Sequence, residues 1–224
     1  MTATTKTGRP LPEYHPPTDP WLDILHEDDD IVVLNKQAGL LSVPGNISRD
    51  SLETRVADRF GDTLVAHRLD MATSGVIVMP RGKANLANIG KQFENRQTHK
   101  RYIAMVWGQL SSDAGTIDAP MRCDWPNRPI QMICHERGRP ALTHWQVTDR
   151  FDDRTRVALT PITGRSHQLR LHLKSIGHSI LGDEWYADGP ARAAADRLLL
   201  HAEALTLRHP GSGEMMTFIA PVPF

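Results

Sequence analysis

Apolar positions along this chain follow two different periods. Ile31–Leu34 and Val76–Met79 are short unbroken apolar runs rich in β-branched residues, and polar or turn-forming residues flank each. Runs of that length and composition read as buried strands. Tyr102–Trp107, the stretch around Trp145 and Arg156–Leu159 look like further strands. Between these segments the period changes. Leu52, Val56 and Phe60 recur at helical spacing, Asp50 and Glu53 before them resemble a capping box, and Gly61 stops the pattern. Leu86, Ile89 and Phe93 mark one face of a second helix, with Gly90 a mild weakness inside it. Leu169, Leu173 and Ile176, ended by Gly177, give a third. Pro190 suits the first turn of a fourth, through the alanine-rich segment ending near Asp196. Helices interspersed irregularly among strands predict an α+β fold rather than a regular βαβ repeat.

The pattern also divides the chain. Residues 1–20 are rich in threonine and proline, and they read as a loose arm that at most drapes over the body. Order is expected to begin near Trp21, with residues 21–224 forming one domain. The first twenty residues hold no apolar run that would serve as a signal peptide. No run anywhere approaches the roughly 18 apolar residues that cross a bilayer. Cys123 and Cys134 are the only cysteines, which suits free thiols in a reducing compartment. A cytoplasmic protein is expected.

Net charge is zero, which alone gives no reason to expect a nucleic-acid partner. The distribution changes that picture. Asp23, Glu27, Asp28, Asp29 and Asp30 make the first part acidic, whereas Arg81, Lys83, Lys91, Arg96, Lys100 and Arg101 face only Glu94 in their stretch. Arg165, Arg170 and Lys174 form a second acid-free cluster. A neutral molecule with a basic face is compatible with RNA. Each cluster taken singly is equally at home as solvated surface.

The most informative chemistry lies in His67–Arg68–Leu69–Asp70–Met71–Ala72–Thr73–Ser74–Gly75. An acid, a fixed cation and two small hydroxyls sit in an irregular segment just before an apolar strand, where catalytic groups are commonly mounted. By itself this stretch also suits a surface loop in which Asp70 caps a backbone amide. Lys100–Arg101–Tyr102, Thr163 to Arg170 and Leu198 to Ala202 add cations, a tyrosine and a leucine run. No metal site is expected, because Cys123, Cys134 and His135 lack a fourth ligand at zinc spacing, and His167 and His172 stand five apart.

Together and in this order, these stretches resemble the RluA-type pseudouridine synthases. The match rests on HRLDMATSGVIV at 67–78, KRYIAMVWG at 100–108, PITGRSHQLRLHL at 161–173, GHSILGD at 177–183 and RLLLHAEALTLRHP at 197–210. VVLNKQAGLLSVPG at 32–45 and CDWPNRP at 123–129 point the same way, and coverage runs from about Trp21 to Phe224. Gln37 departs from the proline usual after the lysine. The extra N-terminal RNA-binding domain of many relatives is missing, so RNA affinity is expected from the catalytic domain alone.

The resemblance implies a mixed, mostly antiparallel sheet flanked by helices around an RNA-binding cleft. It implies conversion of uridine to pseudouridine in structured RNA, specifically a tRNA anticodon stem-loop and a stem-loop of large-subunit ribosomal RNA. The reaction is an isomerisation, so no cofactor is expected. Asp70 is implied as the essential carboxylate, acting by covalent addition or by assisting loss of uracil to a glycal. Arg165 is expected to hold it ionised as a bidentate partner. Tyr102 is expected to pack on the base and to take the C2′ or C5 proton. A uridine in folded RNA reaches such a carboxylate only by leaving its stack. Arg68 is the expected residue to fill the gap, assisted by His67, and Leu200 is expected to line the uracil pocket. Lys91, Lys100 and Lys174 are expected on phosphates, and a monomer is expected. An idle RNA-binding module would lack Asp70. A protein kinase, suggested by HRLD, would need a glycine-rich phosphate loop and a DFG triplet that the chain does not have.

Overall fold

The structure, a computed structural model, describes residues 14–46 and 48–224. Strands β1 (Ile24–Glu27) and β2 (Ile31–Lys36) precede helix α1 (Leu52–Phe60). Strand β3 (Ser74–Pro80), helix α2 (Gly82–Glu94) and strand β4 (His99–Trp107) follow. β5 (Ala114–Asp118) leads to a small hairpin of β6 (Met121–Cys123) and β7 (Gln131–Ile133), then to β8 (Leu142–Arg150) and β9 (Arg154–Pro161). Helices α3 (Gln168–Ser175) and α4 (Gly189–Ala193) come before the last strands, β10 (Leu200–Arg208) and β11 (Met215–Ile219).

The main sheet runs β1-β2-β3-β10-β4-β9-β8-β5, and β11 pairs with β10 off this path. Every pairing in it is antiparallel except β3 with β10. The sequence predicts the α+β architecture correctly.

The unbroken runs of β2 and β3 are explained by helices on both faces. Ile31, Val33, Val76 and Val78 pack with Ile89 and Phe93 of α2. The alternate residues Val32, Leu34, Ile77 and Met79 pack with Leu52 and Val56 of α1. A strand buried on both sides has no position for a polar residue, so its period of two vanishes. The other half of the sheet sets Ala104, Val106, Val157 and Leu159 against Leu169 and Leu173 of α3.

Three expectations need adjustment. The cap of α1 is Ser51 with Thr54, not Asp50 with Glu53, because Arg55 takes both Asp50 oxygens at 2.7 and 2.8 Å. The fourth helix is shorter than expected, ending at Ala193. Of the N-terminal arm, residues 1–13 lie outside the described residues. The remainder is fastened before Trp21. Tyr14 donates to Asp50 O and accepts from Leu41 N, and the buried Arg55 guanidinium bonds Pro17 O at 2.7 Å.

β10 was not apparent as a strand, and it is the element on which the site depends. Its first residues pair with β3, His201 opposite Ser74 and Ala202 opposite Gly75, and from Ala204 onward β11 lies alongside instead. Gly75 (φ 116°) makes that approach possible. A Cβ there would lie 2.2 Å from Ala202 O, a distance no side chain tolerates. The glycine that closes the HRLD segment therefore lets β10 seat next to the Asp70 loop.

Candidate active site

Asp70 stands in the loop between α1 and β3, and the segment 36–42 pins the backbone on both sides of it. Ser42 Oγ donates to Leu69 O at 2.7 Å and accepts from Leu69 N at 3.1 Å. Gly39 N–H donates to Met71 O at 2.8 Å. The Lys36 ammonium, fully buried, donates to Gln37 O, Leu40 O and Met71 O at 2.8, 2.7 and 3.1 Å. Burial pushes Lys36 down to about 7 although the negative Asp70 nearby opposes this. The side chain of Asp70 remains 30% exposed, so a pinned loop presents an accessible carboxylate.

The cation beside that carboxylate is Arg170. Its Nη1 lies 3.5 Å from Asp70 Oδ2, while Nε and Nη2 form a bidentate pair with fully buried Asp183 at 2.7 and 2.6 Å. Burial disfavours the charge on Arg170, but Asp183 and then Asp70 outweigh it and hold the guanidinium above its ordinary value. Asp183 is itself saturated by the N–H groups of Trp185 and Tyr186 at 2.9 and 3.1 Å. His167 Nε2 sits 4.0 Å from the same Oδ2. Both closest approaches fall on Oδ2, and Oδ1 accepts no hydrogen bond among the described residues.

Arg165 does not take the expected position. It precedes α3, where its Nε donates to Pro140 O at 3.1 Å. Partial burial and the neighbouring Arg139 and Arg96 lower its pKa, which marks a cluster of cations rather than an ion pair. The difference is one of helix phase. Arg165 precedes the first turn of α3, whereas Arg170 lies within it on the buried face, beside Leu169 and Leu171. A charged residue placed among apolar helix positions was the available signal, because burial obliges it to find a partner.

Asp70 opens into a cleft of about 900 Å³ lined by Arg68, Arg96, Lys100, Tyr102, Arg165 and Leu200, among others. Arg68 is exposed and makes no hydrogen bond or ion pair among the described residues. Tyr102, facing its register partner Ala202, has a phenol that burial and then Asp70 hold well above the usual range. A phenol kept protonated packs against a base but is a poor proton acceptor, so the second part of its expected role finds no support. Leu200 is buried and reaches the cleft from the core between β10 and α3. His67 is not available for flipping. Its Nε2 accepts from Val78 N at 3.1 Å, its ring lies 4.5 Å from that of Phe93, and burial with nearby Lys100 pushes it down to about 3. It is a neutral anchor for the loop. Of the three expected phosphate lysines, Lys100 lines the cleft, while exposed Lys91 and Lys174 do not.

Among the described residues, His26, Asp28 and His209 are the one histidine–carboxylate group close enough to consider for a metal. Its bonding is already complete. Ser212 N–H donates to His209 Nδ1 at 3.0 Å, so Nε2 carries the proton and donates to Asp28 at 3.0 Å. The group clips the β1–β2 turn to the β10–β11 turn.

Residues 30–175 match the family model described as RNA pseudouridylate synthase. The chain is 52% identical over 217 residues to the dual-specificity RNA pseudouridine synthase RluA of Escherichia coli strain K12, covering 96% of this chain and 99% of that one. The protein of the same description from Pasteurella multocida gives the same identity and coverage. Among solved structures, Human RNA Pseudouridylate Synthase Domain Containing 1 superposes with a TM-score of 0.78 at 28% identity, over 91% of this chain and 84% of that one. Human RNA Pseudouridylate Synthase Domain Containing 4 gives 0.73 at 26% identity, over 90% and 88%.

Proposed function

This chain belongs to the RNA pseudouridylate synthase family, and from that premise we propose that Asp70 is the carboxylate on which its isomerisation of uridine in RNA turns. The reaction breaks N1–C1′, turns the uracil over and joins C5 to C1′. The proton on C5 is lost and N1 gains one, so atoms balance without a donor. The observation that carries the assignment is an accessible carboxylate at the base of a cation-lined cleft, its loop pinned by Lys36 and Ser42 and one oxygen held by Arg170. Either a covalent or a glycal route needs that carboxylate ionised, and Arg170 places a positive charge 3.5 Å from Oδ2.

Arg68 fills the space left by the flipped uridine, since an exposed guanidinium on the cleft rim, unpaired among the described residues, can stack between bases. Tyr102 and Leu200 bracket the uracil. Arg96, Lys100 and Arg165 take the phosphates. The substrates are a tRNA anticodon stem-loop and a stem-loop of large-subunit ribosomal RNA, in keeping with relatives whose names carry dual specificity. Asp70, Arg170, Asp183 and His167 meet within this chain, which is compatible with a monomer as the acting form. No described helix is long and apolar enough to cross a membrane, and the site of action is the cytoplasm, where both RNAs reside.

Two measurements test this. Asp70→Asn is expected to abolish tritium release from 5-tritiated uridine while leaving RNA binding intact, and turnover near wild type removes the assignment. Mapping pseudouridine in tRNA and ribosomal RNA from cells with and without the gene should show one position lost in each RNA class.

A further inference from the structure

His167 sits where a glycine or asparagine would ordinarily be found. It is the residue before α3, with φ 54° and ψ 20°, and its side chain caps no backbone amide. Left-handed backbone is uncommon outside glycine, though histidine adopts it more readily than most residues, and here packing on the ring holds it. Here the imidazole is 9% exposed, turned towards Asp70, and set 4.9 Å from the Trp185 ring and 5.6 Å from that of Tyr186.

The hydrogen bonds around it point to one tautomer. Gln131 N–H donates to Tyr186 Oη at 2.8 Å, and the same oxygen is 2.8 Å from His167 Nδ1. A peptide N–H can only donate, so Oη accepts from Gln131. The phenol hydrogen has no other acceptor among the described residues, which assigns Nδ1 as its acceptor. A neutral imidazole that accepts at Nδ1 is protonated at Nε2. Nε2 is the atom that faces Asp70 Oδ2 at 4.0 Å.

We propose that His167 is a positioning residue: a neutral imidazole whose Nε2–H, aimed by Tyr186 and the peptide of Gln131, steadies Oδ2 of Asp70 and leaves Oδ1 for the substrate. This rests on the reading of Asp70 as the catalytic carboxylate. The separation of 4.0 Å exceeds a hydrogen bond, and a small rotation of the half-exposed carboxylate as substrate seats closes it. The charged and titratable groups facing the ring agree with a neutral form. Burial lowers its pKa and Arg170 adds to that effect, against Asp70 and Asp183. Burial also pushes the Tyr186 phenol up to about 12, so its hydrogen is retained. Gln131 opens strand β7 and, with Pro129, lines the cleft. The chain of bonds thus runs from a strand that lines the cleft to the carboxylate at its base.

The test uses the full chain, with its histidines labelled with nitrogen-15, and a prefolded stem-loop substrate. Long-range proton–nitrogen spectra, assigned by comparison with His167→Gln, should show His167 as the Nε2–H tautomer at neutral pH. Tyr186→Phe removes the donor to Nδ1 and should yield a mixture of tautomers. Its single-turnover rate should fall about tenfold, the worth of one hydrogen bond to a charged group, with unchanged RNA affinity. His167→Ala should lose at least as much, whereas His167→Gln, which keeps an N–H near the ε position, should recover most of the rate. An Nδ1–H tautomer in the wild type, or a wild-type rate in a folded His167→Ala variant, overturns the proposal. Asp70→Asn run alongside separates the two claims. Turnover by that variant defeats the reading beneath the proposal, while the tautomer is still read independently of activity.

Discussion

The two sides of Asp70 are built on opposite principles. On the inner side Lys36, Ser42, Arg170 and Asp183 are buried, and each makes two or more hydrogen bonds at fixed positions. On the rim, among the described residues, Arg68 is exposed without a partner and Arg165 has one side-chain bond, to a carbonyl. The rim cations are held close to one another, Arg165 near Arg139 and Arg96, and Lys100 near Arg96. Saturated buried groups have one arrangement and can hold a carboxylate to a fraction of an ångström. Unsaturated, mutually repelling cations are free to exchange water for phosphate. The difference teaches where to look for geometry and where to look for affinity.

The comparison breaks most severely at Asp183. Asp183→Asn removes one charge of a buried pair and leaves Arg170 under-compensated, which typically costs about 3–5 kcal/mol. A urea titration should show the loss, and turnover should fall further than stability explains because Arg170 is no longer fixed beside Asp70. An unchanged midpoint contradicts the inner side as described. On the rim the opposite pattern is expected. Arg68→Ala should leave stability alone and lower turnover about tenfold or more, with a smaller loss of affinity, since stacking with a base is worth about 1–3 kcal/mol. Arg68→Lys should rescue poorly, because an ammonium cannot stack. Full rescue reduces Arg68 to a phosphate contact.

Lys36 sharpens the contrast through pH. Its folded-state pKa of about 7 lies below the unfolded value of 10.5. Between these values the unfolded chain binds more protons, so the burial penalty is complete below pH 7 and is relieved as pH rises to 10.5. Relative to Lys36→Met, the wild type should gain stability across that window, measured by denaturant midpoints at stepped pH. A flat difference rules out the lowered pKa of Lys36. The smallest effect belongs to the phosphate contacts. Lys100→Ala or Arg165→Ala should each reduce the slope of log affinity against log salt by about 0.7–0.9 units, whereas Lys174→Ala, outside the cleft, should not.

How much of this was legible in the sequence depended on the range of the interaction that decided it. Ile31–Leu34, Val76–Met79 and the helices at Leu52 and Leu86 declare themselves through local periodicity, and the structure has them where expected. The cap of α1 slipped by one residue because Asp50 is claimed by Arg55, a tertiary choice. β10 reads LHAEALTLR, in which alanine, leucine and glutamate favour a helix. It is a strand because β3, β4 and β11 surround it. The candidate site shows the same division. Residue types and the HRLD loop were visible, but the choice between Arg165 and Arg170 depends on contacts made 100 residues away.

The parallel junction of β3 with β10 has a consequence in time. Ser74 and His201 are hydrogen-bonded at 2.8 Å across 127 residues of sequence. A ribosome releases β3 long before it makes β10, so this edge waits unpaired for most of translation, and closing so long a loop is slow. The Asp70 loop leads directly into β3, and its arginine partner lies in α3, itself a late product. The carboxylate is thus armed only when the C-terminal strands have emerged. A truncated product ending before Leu200 leaves the β10 edge of β3 unpaired and is expected to lack turnover.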